Sequence, residues 1–118
     1  MGFSVVVVES DPRVAKSLSS HFHSVHSTLP GDNLRERVAK SRPEAVILDM
    51  EYSRLTDVRN LRQDFPSLPI VCTHRVPDEE LWVAAMEAGA SDVCAPDDVQ
   101  NVLISTLRSV PGARTAVA

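Results

Sequence analysis

Three short runs along the chain are apolar without alternation and rich in β-branched residues: Ser4-Val5-Val6-Val7-Val8, Ala45-Val46-Ile47-Leu48 and Ile70-Val71-Cys72-Thr73. A strand that is apolar on both sides needs cover on both faces, which a parallel sheet flanked by helices supplies. Between these runs the apolar positions recur every three or four residues. Val14, Leu18 and Phe22 mark a first helix that Asp11 caps, Pro12 opens and that ends near residue 21. Leu34 and Val38 mark the inner face of a second, residues 34–41, behind a Pro30-Gly31-Asp32 turn. Val58 and Leu61 point inward from a third, 56–64, which Phe65-Pro66-Ser67-Leu68-Pro69 stops. Asp78 opens a fourth that runs to about residue 88, with Gly89 just past its end. Val99, Val102, Leu103 and Leu107 form the apolar stripe of a fifth, opened by Asp97 or Asp98. Weaker extended segments at 24–29 and 91–94 complete five strands alternating with five helices. Right-handed crossovers then lead to an α/β fold, a doubly wound parallel sheet with helices on both faces.

The 118 residues suffice for one domain, placed at 1–110, with Pro111 to Ala118 as a flexible tail or truncated linker. The apolar runs, residues 5–8 and 81–86 among them, are far too short to cross a bilayer, and Met1-Gly2-Phe3-Ser4 lacks a charged segment followed by an extended apolar stretch. A cytoplasmic location without membrane contact is the expectation. The net charge of −4 disfavours a nucleic-acid surface, which usually clusters Lys and Arg. Cys72 and Cys94 fall on neighbouring strands and are read as free buried thiols, as expected in a reducing compartment. His21, His23 and His26 straddle a helix end and a strand and are read as surface residues rather than metal ligands. Trp82, the only tryptophan, is assigned to core packing ahead of a partner contact.

Four segments together resemble the receiver domains of response regulators in two-component signalling. They are Val7-Val8-Glu9-Ser10-Asp11-Pro12 after strand one, Val46-Ile47-Leu48-Asp49-Met50 at strand three, Ile70-Val71-Cys72-Thr73 at strand four, and Ala88-Gly89-Ala90-Ser91-Asp92 before strand five. The resemblance covers about residues 4 to 109 and implies a flavodoxin-like sheet of order 2-1-3-4-5. It also implies that Asp49 is the phosphoacceptor, attacking a phosphoryl donor as a nucleophile. Glu9, Asp49 and the backbone carbonyl of Glu51 map onto the family's metal positions. Crowded carboxylates require a hard cation such as Mg²⁺ between them and the incoming phosphate. Thr73 maps onto the hydroxyl that hydrogen-bonds the phosphoryl oxygen and switches. A sensor histidine kinase or phosphotransfer protein would supply the phosphate, and a downstream effector protein or domain would read it. The reading face would be the fourth helix, fifth strand and fifth helix, which can also support a homodimer. No enzyme activity of its own is expected.

The site departs from the family at several positions. Ser10 replaces the second acid, which weakens the Mg²⁺ site, although Asp11 next to it can compensate in part besides capping the first helix. Ala95 precedes Pro96 where the family has a lysine, so a cation that would stabilise phosphoryl charge is missing there. His74 follows Thr73 in place of a small residue and is expected to crowd the phosphate's entrance. Val93 stands in place of the strand-five aromatic, removing the rotating half of the switch. These departures support a second reading, a pseudo-receiver that binds partners without phosphate, with Asp49 a plain strand-end carboxylate. A flavodoxin-like nucleotide binder or enzyme is disfavoured because Glu9-Ser10-Asp11-Pro12 has no glycine to admit a phosphate to the backbone.

Overall fold

The computed structural model describes residues 4–8, 16, 22, 24–28, 33–51, 53–76, 78–95 and 99–109. Five strands, β1 (Ser4–Val8), β2 (Ser24–Thr28), β3 (Ala45–Asp49), β4 (Ile70–Thr73) and β5 (Asp92–Cys94), form one sheet of order β2-β1-β3-β4-β5. All four pairings are parallel. The described helices are α1 (Leu34–Ser41), α2 (Leu55–Asp64), α3 (Glu79–Ala88) and α4 (Val99–Ser109). The doubly wound architecture and its strand order are those expected, and element bounds shift by a residue or two. The first expected helix falls mostly outside the described residues; Lys16 is helical and Phe22 is buried. The expected tail, residues 111–118, also lies outside them.

Side chains alternate across the sheet into two cores. Val6, Val8, Val46, Leu48, Ile70 and Cys72 pack under Val38, Val58, Leu61, Ala85 and Ala88 from α1, α2 and α3. Val5, Val7, Ala45, Ile47, Val71 and Cys94 face Phe22 and Val102. The burial of β3 at all five positions explains why its sequence shows no polar alternation. Cys72 and Cys94 are free and buried on adjacent strands, as expected. Cys72 pairs in register with Val93 and Thr73 with Cys94, so the two thiols belong to opposite cores. Burial pushes the Cys72 thiol up to about 12.

Helix ends follow local chemistry. The Asn33 side chain accepts from the Glu36 amide, and Asp78 Oδ1 accepts from the Leu81 amide at 2.8 Å. At the other end of α3, Gly89 adopts φ +121°, and its N–H bonds the Ala85 and Met86 carbonyls. The Arg62 guanidinium donates to the Gly89 carbonyl through Nε (2.9 Å) and Nη2 (2.8 Å) and to the Pro66 carbonyl through Nη1 (2.9 Å), tying α2 to the end of α3.

One expectation is corrected. Trp82 is 45% exposed rather than packed in the core, because α3 buries Ala85 and Ala88 and leaves Trp82 and Val83 facing outward. Helix α4 buries Val102, the one described side chain of its expected stripe. Beside Val102 it buries Ser105 and Thr106, which is tolerated because both hydroxyls are bonded: Thr106 to the Val102 carbonyl (2.7 Å), Ser105 to Asp92 Oδ2 (2.6 Å). The side chains of Val99, Leu103 and Leu107 lie outside the described residues. His26 is half-buried in β2, while His21 and His23 are outside the described set. Among the described residues no helix is long and apolar enough to cross a membrane.

Candidate functional site

Strand β3 ends on an acid and strand β4 ends on a hydroxyl, and the parallel register places Asp49 directly beside Thr73. A parallel pair aligns its strand ends at one edge of the sheet, so these residues share a rim rather than being scattered. The Thr73 carbonyl accepts from the Met50 amide at 2.8 Å, which holds the chain leaving β3 against the end of β4. Asp49 is 7% exposed and Thr73 2%.

The two oxygens of Asp49 differ. Oδ1 accepts the Glu51 amide at 2.9 Å, whereas no described group bonds Oδ2. Burial raises the Asp49 pKa above the ordinary carboxylate value, reinforced by the negative charge of Glu51. The Glu51 amide bond and the charges of His74 and Arg75 pull the other way. No described group bonds the Thr73 hydroxyl either, so among the described residues a buried polar atom has no partner beside a buried carboxylate. Such an atom costs stability unless a ligand or water satisfies it.

The Glu51 side chain accepts from Arg75 Nε at 2.6 Å. His74 Nδ1 lies 3.0 Å from the Val76 amide nitrogen and 3.1 Å from its carbonyl oxygen, so the ring is tied to its own loop in either tautomer. Ala95 follows β5 and carries no charge, and Val93 packs partly buried against the α1–α3 core. Glu9, Ser10 and Asp11 lie outside the described residues.

Mg²⁺ favours hard oxygen donors, and the described rim offers Asp49 Oδ2 and the Glu51 carbonyl, neither claimed by another described group. The described residues hold no group of three or more His, Cys, Asp or Glu able to bind a metal. These two oxygens suit the ion but would fill only part of its shell.

Sequence reasoning missed Arg75. The signal was present, since Glu51 and Arg75 each follow a strand-end residue by two positions, but it becomes visible only once Asp49 and Thr73 are known to be in register.

No family model matches the chain. Among curated proteins it is similar to the response regulator MprA of Mycobacterium sp. (strain KMS), 29% identical over 117 residues, covering 93% of this chain and 51% of that protein. The MprA of Mycobacterium leprae is also 29% identical, over 113 residues. The chain thus spans about half the length of the curated relatives it matches. Among solved structures, NtrX from Brucella abortus in complex with ADP superimposes with a TM-score of 0.82 at 21% identity, covering 99% of this chain and 28% of that one. The BeF3-activated N-terminal receiver domain of Klebsiella pneumoniae RstA gives a TM-score of 0.72 at 28% identity, covering 89% of this chain and 95% of that one.

Proposed function

We propose that this chain, a response regulator receiver domain by its fold and its likeness in sequence, accepts a phosphoryl group on Asp49 and passes the change to a partner. The observation that carries the reading is the buried Asp49 carboxylate with one open oxygen, in register with a buried Thr73 hydroxyl that no described group bonds. A carboxylate oxygen of Asp49 gives an electron pair to phosphorus while the bond to the donor's leaving atom breaks and its pair departs with that atom. With acetyl phosphate the leaving group is acetate, which needs no proton. The Thr73 hydroxyl then donates to a phosphoryl oxygen, satisfying both atoms.

Asp49 and the Glu51 carbonyl are proposed to hold Mg²⁺, with Glu9 and Asp11 completing the protein's share. When bound, the ion supplies positive charge between the carboxylates and the incoming phosphate. The donor is proposed to be a sensor histidine kinase or a phosphotransfer protein, and the reader a downstream effector protein or domain, in the cytoplasm. The domain itself performs no separate enzymatic reaction. Trp82 and Val83 on α3 and Ile104 on α4 are large apolar residues left exposed, which supports α3, β5 and α4 as the signalling face and as a homodimer contact.

Incubation with Mg²⁺ and acetyl phosphate followed by intact-mass measurement tests the reading. Phosphoryl mass gain in the wild type and none in Asp49→Ala is the expected result. No gain at high donor concentration would select the pseudo-receiver instead, a reading that the charge losses at Ser10 and Ala95 support.

A further inference from the structure

Residues 33–42 carry four of the chain's 12 Lys and Arg and one of its 16 Asp and Glu, so a protein of net charge −4 gathers positive charge on and around α1. Arg35 pairs with Asp64 at 3.0 Å. Among the described residues no ion pair engages Arg37 or Lys40, which are exposed and lie three apart on the helix. Glu36, the acid between Arg35 and Arg37, accepts through Oε2 from Asn33 Nδ2 at 3.4 Å.

These cations stand beside an edge of the sheet. Strand β2 is outermost, pairs with β1 at all five positions without a bulge, and has no described strand on its other side. Its sequence, Ser-Val-His-Ser-Thr, holds none of the lysines or prolines that commonly blunt such an edge. His26 pairs with Val6, which packs in the core under α1, so His26 lies on the α1 side of the sheet. There it lines, with Asn33, Glu36, Arg37 and Lys40, a cleft of about 750 Å³.

We propose that this edge binds an extended acidic segment of a partner protein, which adds to the sheet beside β2 and sets two of its carboxylates on Arg37 and Lys40. Along a strand the side chains of one face recur every two residues, about 6–7 Å apart. Helix residues three apart hold their Cβ atoms about 5–6 Å apart. Acids at alternate positions of the added strand therefore match the two cations one to one, while main-chain hydrogen bonds to β2 supply further affinity. A nucleic acid fits less well, since two unpaired cations neutralise few phosphates and Glu36 repels others. Strand β1 separates β2 from β3, which carries Asp49, and the contact needs no phosphoryl group.

The test titrates the ¹⁵N-labelled full chain with a short synthetic peptide that alternates Glu with Val. Three further probes are the same peptide N-methylated at alternate amides, its counterpart with Lys for Glu, and oligothymidylate. The Glu peptide is expected to bind saturably and to shift the amide signals of residues 24–28 and 34–41, leaving those of Asp49 and Thr73 in place. Arg37→Glu combined with Lys40→Glu should weaken it about tenfold or more, since each exposed ion pair contributes up to about fivefold. Arg37→Gln with Lys40→Gln, which removes the charges without reversing them, should give a smaller loss. Arg59→Glu, at an exposed position of α2, should bind as the wild type does. The N-methylated and Lys peptides should bind about tenfold more weakly than the Glu peptide. A Glu peptide that does not bind, or that binds the doubly substituted chains as well as the wild type, overturns the proposal. An N-methylated peptide that binds equally well overturns strand addition, and oligothymidylate binding more tightly at the same residues overturns the acidic peptide in favour of nucleic acid.

Discussion

Ile47 and Asp49 lie two residues apart on β3 and both are closed to solvent, yet burial acts on them in opposite senses. Ile47 removes hydrocarbon from water in the core that faces Phe22 and Val102, a gain of roughly 25 cal/mol per Å² of apolar surface. Asp49 loses hydration that its single described hydrogen bond does not replace, and its pKa rises accordingly. Thr73 beside it buries a hydroxyl with no described partner. Helix α4 shows that burial of polar groups alone does not mark a site. Ser105 and Thr106 are equally buried, but each donates to an acceptor within 2.7 Å. What distinguishes the rim is that its buried polar atoms lack partners among the described residues, a cost that a site built for a ligand carries and a structural contact does not.

The largest effect is expected in the interior. Ile47→Ala should destabilise the fold by about 2–5 kcal/mol in urea unfolding, from lost transfer energy and the cavity left behind. A smaller loss would mean that the two sheet faces are not packed as described. Gly89→Ala should cost about 1–3 kcal/mol, because the residue sits at φ +121° and an added Cβ would come within 2.7 Å of Arg62 Cγ. That loss should leave the phosphorylation rate of the folded protein unchanged, since the clamp lies away from Asp49.

At the rim the sign should reverse. Thr73→Val replaces an unpartnered hydroxyl by a methyl group of similar shape and should raise stability by about 1 kcal/mol while removing the bond to a phosphoryl oxygen. Destabilisation would show that the hydroxyl already has a partner and would dissolve the contrast with Ser105. Asp49→Asn keeps an oxygen for the Glu51 amide but removes the buried charge. Because folding raises the Asp49 pKa, that carboxyl favours the folded state most below its ordinary value of 3.8 and loses the contribution as pH rises through the raised folded value. The Asn variant should therefore melt above the wild type at neutral pH, with the gap closing in acid. A gap that widens on acidification would contradict the burial assigned to Asp49.

Much of this was legible in the chain itself. The unalternating runs at β1, β3 and β4 and the helical spacing of Leu34 with Val38 and of Val58 with Leu61 located most elements to within a residue or two. The acid at the end of one strand and the hydroxyl at the end of another were legible for the same reason, since strand ends are marked by where apolar runs stop. Trp82 was misjudged because α3 carries apolar residues around most of its circumference, so periodicity does not say which side meets the sheet. Ser105 and Thr106 were passed over because hydroxyls read as outward-facing until their partners, Asp92 and the Val102 carbonyl, are in place.

The order of short apolar and amphipathic segments determined by itself that this chain forms a parallel sheet covered on both faces, because such strands have no other way to leave water and such helices bury only one side. Which residues meet across the sheet depended on register, a relation between segments more than twenty positions apart that no local pattern encodes. Register put Asp49 beside Thr73, sent Cys72 and Cys94 to opposite cores, and brought Arg75 to Glu51. The chemistry of the rim is therefore a property of the assembled sheet, since electrostatic and hydrogen-bond energies depend on distances that only folding sets.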